Sequence, residues 1–74
     1  MARVLHLLKG DHTSEAVSVI TPQVAGGDHV TVAILGDVAA PSLPPGVEIH
    51  RVPTDVSYER LLELIFASDN VVTW

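Results

Sequence analysis

Four histidines, His6, His12, His29 and His50, are the first residues of this chain that could do chemistry, as metal ligands or proton carriers. A metal site built on a helix needs two of them four residues apart, and no pair has that spacing. His6 lies inside an apolar run and reads as a hydrogen-bonded core or interface histidine. His12 falls in a polar loop. His29 should begin a strand whose far end points toward His12, roughly 20 Å away at the usual rise per residue. No metal and no cofactor is expected.

The second set is the stretch Lys9-Gly10-Asp11-His12-Thr13-Ser14, which follows the apolar run Val4 to Leu8 and precedes a helix. The free N–H groups and dipole of a helix N-terminus favour an anion, and Gly10 lets a ligand approach the backbone. Gly36-Asp37 ends a second apolar run in the same manner. These positions, Lys9, Gly10, Asp11, His12, Thr13, Gly36 and Asp37, are the ligand or interface candidates, together with Trp74. Neither a dinucleotide fingerprint nor a P-loop is present, and Asp11, Thr13 or Ser14 also suits a plain helix N-cap. Trp74 either packs over the sheet or inserts into a partner, since Trp is enriched in binding hot spots.

Nucleophilic catalysis has no footing, because there is neither a GxSxG elbow nor a thiol. Ser14, Ser42 and Ser57 are explained by caps and loops. Asp37 and Asp55 follow strands, where a carboxylate could act as acid or base, but each also suits an N-cap. An enzyme using Asp37, Asp55 or His12 would lack any paired constellation. No catalytic residue is nominated, and the chain reads as a non-enzyme.

The elements that must position these residues are legible from the apolar pattern. Between Arg3 and Lys9 the chain is continuously apolar apart from His6, as in a strand buried on both faces, and Val30 to Leu35 repeats this. Between them Ala16, Val17, Ile20 and Val24 fall at helical spacing from Ser14 to Ala25, with Gly26-Gly27 as C-cap and turn. Pro22 predicts a kink or an early helix end near Thr21. An edge strand over Ala16 to Thr21 is the rival, less favoured because parallel neighbours need a crossover of this length.

Pro41, Pro44 and Pro45 make the next stretch a loop, with one helical turn at Asp37 to Ala40. Val47 to Val52 alternates as a strand nearer an edge, and Pro53-Thr54-Asp55 turns the chain. Tyr58, Leu61, Leu62, Ile65 and Phe66 then mark an amphipathic helix, with Glu59, Arg60 and Glu63 toward solvent. Ser68-Asp69-Asn70 ends it, and Val71 to Trp74 is a last strand. The result is a small three-layer α/β/α domain, with a mostly parallel four-stranded sheet of flavodoxin-like topology over residues 1–74. The helices fall on opposite faces if the winding direction reverses.

Size and composition point to association. A chain of 74 residues with no cysteine has no disulfide or Cys-based metal staple. It is also 47% hydrophobic, more than one small core readily covers. A net charge of -5, with Arg3, Lys9, Arg51 and Arg60 scattered, argues against direct nucleic-acid contact. No apolar run approaches the roughly 20 residues needed to span a bilayer, and no export signal is evident. The expected compartment is the cytoplasm.

Several short motifs fall in a familiar order: Val4-Leu5-His6-Leu7-Leu8, Gly27-Asp28, Leu35-Gly36-Asp37-Val38-Ala39-Ala40, Thr54-Asp55-Val56 and the terminal Val72-Thr73-Trp74. Together they resemble the DsrE/DsrF/DsrH sulfur-relay family over nearly the whole chain, and most closely its H-type, TusB-like subunits. The resemblance implies a DsrEFH-like fold assembled into oligomers. In that family E-type subunits carry a persulfide on cysteine, toward tRNA 2-thiolation or sulfur oxidation, and H-type subunits act mainly as partners. Two departures stand out. The segment Pro41 to Gly46 is short, which bears on strand count, and the absence of cysteine excludes persulfide carriage by this chain.

The sequence thus favours a non-catalytic DsrH/TusB-like subunit, forming a homo-oligomer or a hetero-oligomer with cysteine-bearing DsrE- or DsrF-like subunits. The alternative is a stand-alone module binding phosphate or a nucleotide through Lys9-Gly10-Asp11 and Gly36-Asp37.

Overall fold

The computed structural model describes residues 2–10, 13–36 and 41–74. The element order is β1 (Arg3–Leu8), α1 (Thr13–Ala25), β2 (His29–Leu35), β3 (Glu48–Val52), α2 (Tyr58–Ala67) and β4 (Asn70–Thr73). All four strands pair in parallel, in the order β3-β2-β1-β4. This differs from a flavodoxin-like arrangement, in which β3 would lie beside β1. Here the chain steps outward from β1 to β3 and then returns across the sheet to place β4 on the far side of β1.

The two central strands are the two continuously apolar ones, and alternating β3 lies at an edge, as its weaker burial requires. Side chains alternate between the faces of a strand, and the core divides accordingly. Leu8, Val30, Val32 and Ile34 pack with Ala16 and Ile20 of α1. Leu5, Ala33 and Val52 pack with Leu61 of α2, supported by Leu64 and Ile65. Each helix therefore covers its own face, which follows from the reversal of winding between β3 and β4.

α1 continues through Pro22 to Ala25, so the helix does not end early near Thr21. Pro22 lies in the last turn and on the exposed side, so the helix forgoes only one internal bond there. The following turn offsets that loss. Gly27 N–H donates to the Val24 carbonyl and Asp28 N–H to that of Gln23, both at 3.0 Å, with Gly27 at φ 91°. That is a Schellman closure, which requires a left-handed residue where glycine stands.

α2 begins at Ser57, whose Oγ accepts from Arg60 N–H at 3.1 Å. Asp55, read as a helix N-cap in preference to an acid or base, does not cap α2: its Oδ2 accepts from Arg51 N–H at 2.9 Å and closes the turn after β3. Ser57→Ala is accordingly expected to cost about 1 kcal/mol, seen as a lower urea midpoint, because it removes the acceptor of the Arg60 N–H. The expected helical turn at Asp37 to Ala40 lies outside the described residues.

The apolar face of α2 also differs from the expected one. Leu61 is buried and Leu64 and Ile65 are half-buried against the sheet, whereas Tyr58, Leu62 and Phe66 are exposed, Phe66 at 85%. At 100° per residue these six side chains cover about half of the helix circumference, more than a single sheet contact can bury. The excess forms a stripe at i, i+4 and i+8 on one side of α2. Among the described residues no helix is long and apolar enough to cross a membrane.

Candidate functional site

Ligands of open parallel sheets bind outside the carboxyl ends of the strands, where the winding reverses. In the order β3-β2-β1-β4 that point is the boundary between β1 and β4. Lys9 and Gly10 leave β1 there, Lys9 exposed and Gly10 at φ 110°, and Thr13 opens α1 with its hydroxyl donating to the Gly10 carbonyl at 3.4 Å. Because Leu8 is opposite Ile34, Gly36 leaves β2 at the level of Gly10, also left-handed at φ 85°. Lys9, Gly10, Thr13, Gly36 and Trp74 thus share one edge of the sheet. Asp11, His12 and Asp37 lie outside the described residues.

Trp74 settles what fills the space behind that edge. Its backbone N–H donates to the Leu7 carbonyl at 3.0 Å, prolonging the β1–β4 ladder, and its indole packs on the α1-side core. The indole Nε1–H donates to His6 Nδ1 at 2.9 Å. Trp can only donate, so His6 accepts at Nδ1 and carries its proton on Nε2, which donates to Gln23 Oε1 at 2.8 Å. The His6 and Trp74 rings are nearly coplanar, 18° apart, with centroids 6.1 Å apart, an edge-to-edge pair joined by the hydrogen bond. Trp74 packs over the sheet and stays partly exposed.

His6 is wholly buried between Val32 on β2 and Val72 on β4, and its two bonds tie α1, β1 and the end of β4 together. It is a core histidine, satisfied on both nitrogens. Gln23 was not foreseen from the sequence; its only signal is a polar residue one helical turn beyond Ile20, close to the buried face. The chain matches no protein-family model, no curated protein and no solved structure.

At the opposite, amino end of the sheet lies a half-open groove of about 520 Å³ on the α2 side. Its lining includes Arg3, His29, Thr31 and Glu48 from the three strands, and Arg60 and Leu64 from α2. Arg3 stands beside His29 and Thr31 beside Glu48 in the strand register. The basic residues that look scattered in sequence are thus partly gathered, Arg3 and Arg60 into one groove. Glu48 lies between two imidazoles, 3.9 Å from His29 Nε2 and 3.7 Å from His50 Nε2, while Arg60 is held by Glu63 at 2.9 Å. Among the described residues no three histidines or carboxylates are disposed to hold a metal ion.

Among the described residues the carboxyl edge presents Lys9, two left-handed glycines and a helix start, and the amino-end groove presents both signs of charge.

Proposed function

We propose that this chain is a non-catalytic subunit of the DsrH/TusB type, which assembles with cysteine-bearing DsrE- or DsrF-like subunits in a cytoplasmic sulfur relay linked to tRNA 2-thiolation or sulfur oxidation. The observation that carries the assembly role is the Tyr58, Leu62, Phe66 stripe on α2. The molecule's surface of 4416 Å² equals what size scaling gives for a compact monomer of its mass, about 4400 Å². The fold is therefore closed, and what is unusual is how much bulky apolar side chain that surface carries on one helix. A standard interface takes about 800 Å² from each partner, roughly a fifth of this surface, and would cover the stripe.

The sulfur chemistry is assigned to the partner because persulfide transfer needs a thiolate and this chain has no cysteine. The family assignment rests on the order of motifs from Val4 to Trp74. The test is persulfide transfer between E-type donor and acceptor with and without this chain. Transfer is expected to slow when the chain is omitted, and equal rates would remove the relay role.

Gly10 and the start of α1 at the switch point favour a second reading, a phosphate or nucleotide site at the carboxyl edge. Against it, Trp74 already occupies the space between β1, β4 and α1. The assembly reading predicts no rise in Tm across a panel of inorganic phosphate and nucleotides at millimolar concentration. A saturable rise of several degrees would favour the second reading instead.

A further inference from the structure

We infer that the amino-end groove is a binding site for a small zwitterion of dipeptide-like chemistry, its carboxylate on Arg3, its ammonium on Glu48 and its polar middle on Thr31. The inference is independent of the relay assignment. Its starting point is Thr31, which is only 7% exposed yet whose hydroxyl bonds to no protein atom among the described residues. Every fully buried side-chain nitrogen or oxygen among them has a partner, so the Thr31 hydroxyl is reached from the groove it lines. A central strand position of this kind is served as well by valine unless the hydroxyl meets a partner. No protein atom among the described residues supplies one, so the hydroxyl bonds to whatever occupies the groove, water or a ligand.

The charges around Thr31 define that partner. Arg60 is engaged by Glu63, whereas the Arg3 guanidinium makes no ion pair or hydrogen bond among the described residues. The Glu48 contacts to His29 and His50 exceed hydrogen-bond length, leaving its oxygens able to accept. Arg3 is on β1 and Glu48 on β3, with Thr31 on β2 between them. Two strand spacings and a two-residue offset in register separate the charged residues, about 12 Å between their Cα atoms. A dianion would meet Glu48 and a dication would meet Arg3 and Arg60, so opposite charges on one ligand fit best. A separation of several bonds suits a dipeptide better than a single α-amino acid. Leu64 and Ala67 of α2 give an apolar side chain a wall, and about 520 Å³ is within the usual range for small-ligand sites.

The test is an amide-resolved NMR titration of the full chain with glycyl-leucine, N-acetyl-glycyl-leucine and glycyl-leucinamide, the last two each lacking one charge. Glycyl-leucine is expected to give saturable shifts at Arg3, Thr31 and Glu48, and each blocked analogue to bind about tenfold more weakly or worse. Arg3→Met and Glu48→Gln, both at exposed positions, should reproduce those losses. Thr31→Val should weaken binding severalfold without lowering Tm, a combination that a purely structural threonine does not give. Shifts that fail to saturate or centre elsewhere, equal binding of the blocked analogues, or a destabilised Thr31→Val overturn the proposal.

Discussion

Alanine in place of His6 is expected to lower the unfolding free energy by about 3–5 kcal/mol, among the larger effects expected of a single truncation in the core. The side chain is fully buried, so its loss leaves a void between Val32 and Val72. It also removes the partner of the Trp74 indole N–H and of the Gln23 amide oxygen. A domain of this length is held together by roughly 4–11 kcal/mol, so the variant sits near the edge of folding. Trp74→Phe removes one donor and leaves His6 Nδ1 unpartnered, at a smaller cost of about 1–2 kcal/mol, since Trp74 is itself half-exposed.

The pair is separable from general core damage by a double-mutant cycle in urea, with His6→Leu used to keep volume. Residues sharing a hydrogen bond should show a coupling of about 0.5–3 kcal/mol. Additive losses, or a His6→Ala midpoint close to wild type, would mean that the network does not hold α1 and β4 to the sheet.

Phe66→Glu is expected to do the opposite: little to the fold and much to assembly. Among the described residues Phe66 is the most exposed large apolar one, so a charge there should change monomer stability by less than about 0.5 kcal/mol. Within an interface the same side chain is the natural anchor, and replacing it by a carboxylate should weaken association by about 2 kcal/mol or more, at least thirtyfold. Leu62→Glu, one turn earlier on the same stripe, should act likewise, and the two together should leave the chain unassembled. Sedimentation velocity against concentration separates these outcomes. Unchanged association in both variants would locate the interface elsewhere.

Much of the fold is legible in the sequence because burial on two faces leaves a distinct trace. Val4 to Leu8 and Val30 to Leu35 are apolar without alternation, and they are the two central strands; Val47 to Val52 alternates, and it is an edge. Gly26-Gly27 marks the helix end because only glycine comfortably takes the left-handed position there. Where sequence reasoning went astray, a competing local interaction had won. Pro22 stays helical because it falls in the last turn, and Asp55 is drawn to Arg51 N–H while Ser57 caps α2.

The binding features were harder to see for a geometric reason. Arg3, Thr31 and Glu48 come together only through the pairings Arg3 with His29 and Thr31 with Glu48, and register between parallel strands is not encoded in local spacing. Gln23 and Trp74 meet His6 across 17 and 68 positions. The α2 stripe was visible as apolar periodicity, but the periodicity alone does not say which half of a wide apolar arc the sheet will take. Asp11, His12 and Asp37, outside the described residues, stand as candidates on the sequence alone.

The most direct measurement is the native mass of the chain, alone and co-expressed with DsrE- and DsrF-like subunits. The account predicts a heteromeric complex containing those subunits, lost in the Leu62→Glu, Phe66→Glu double variant. A 7.9 kDa monomer under every condition, with the cysteine-bearing subunits assembling unchanged without it, would contradict it.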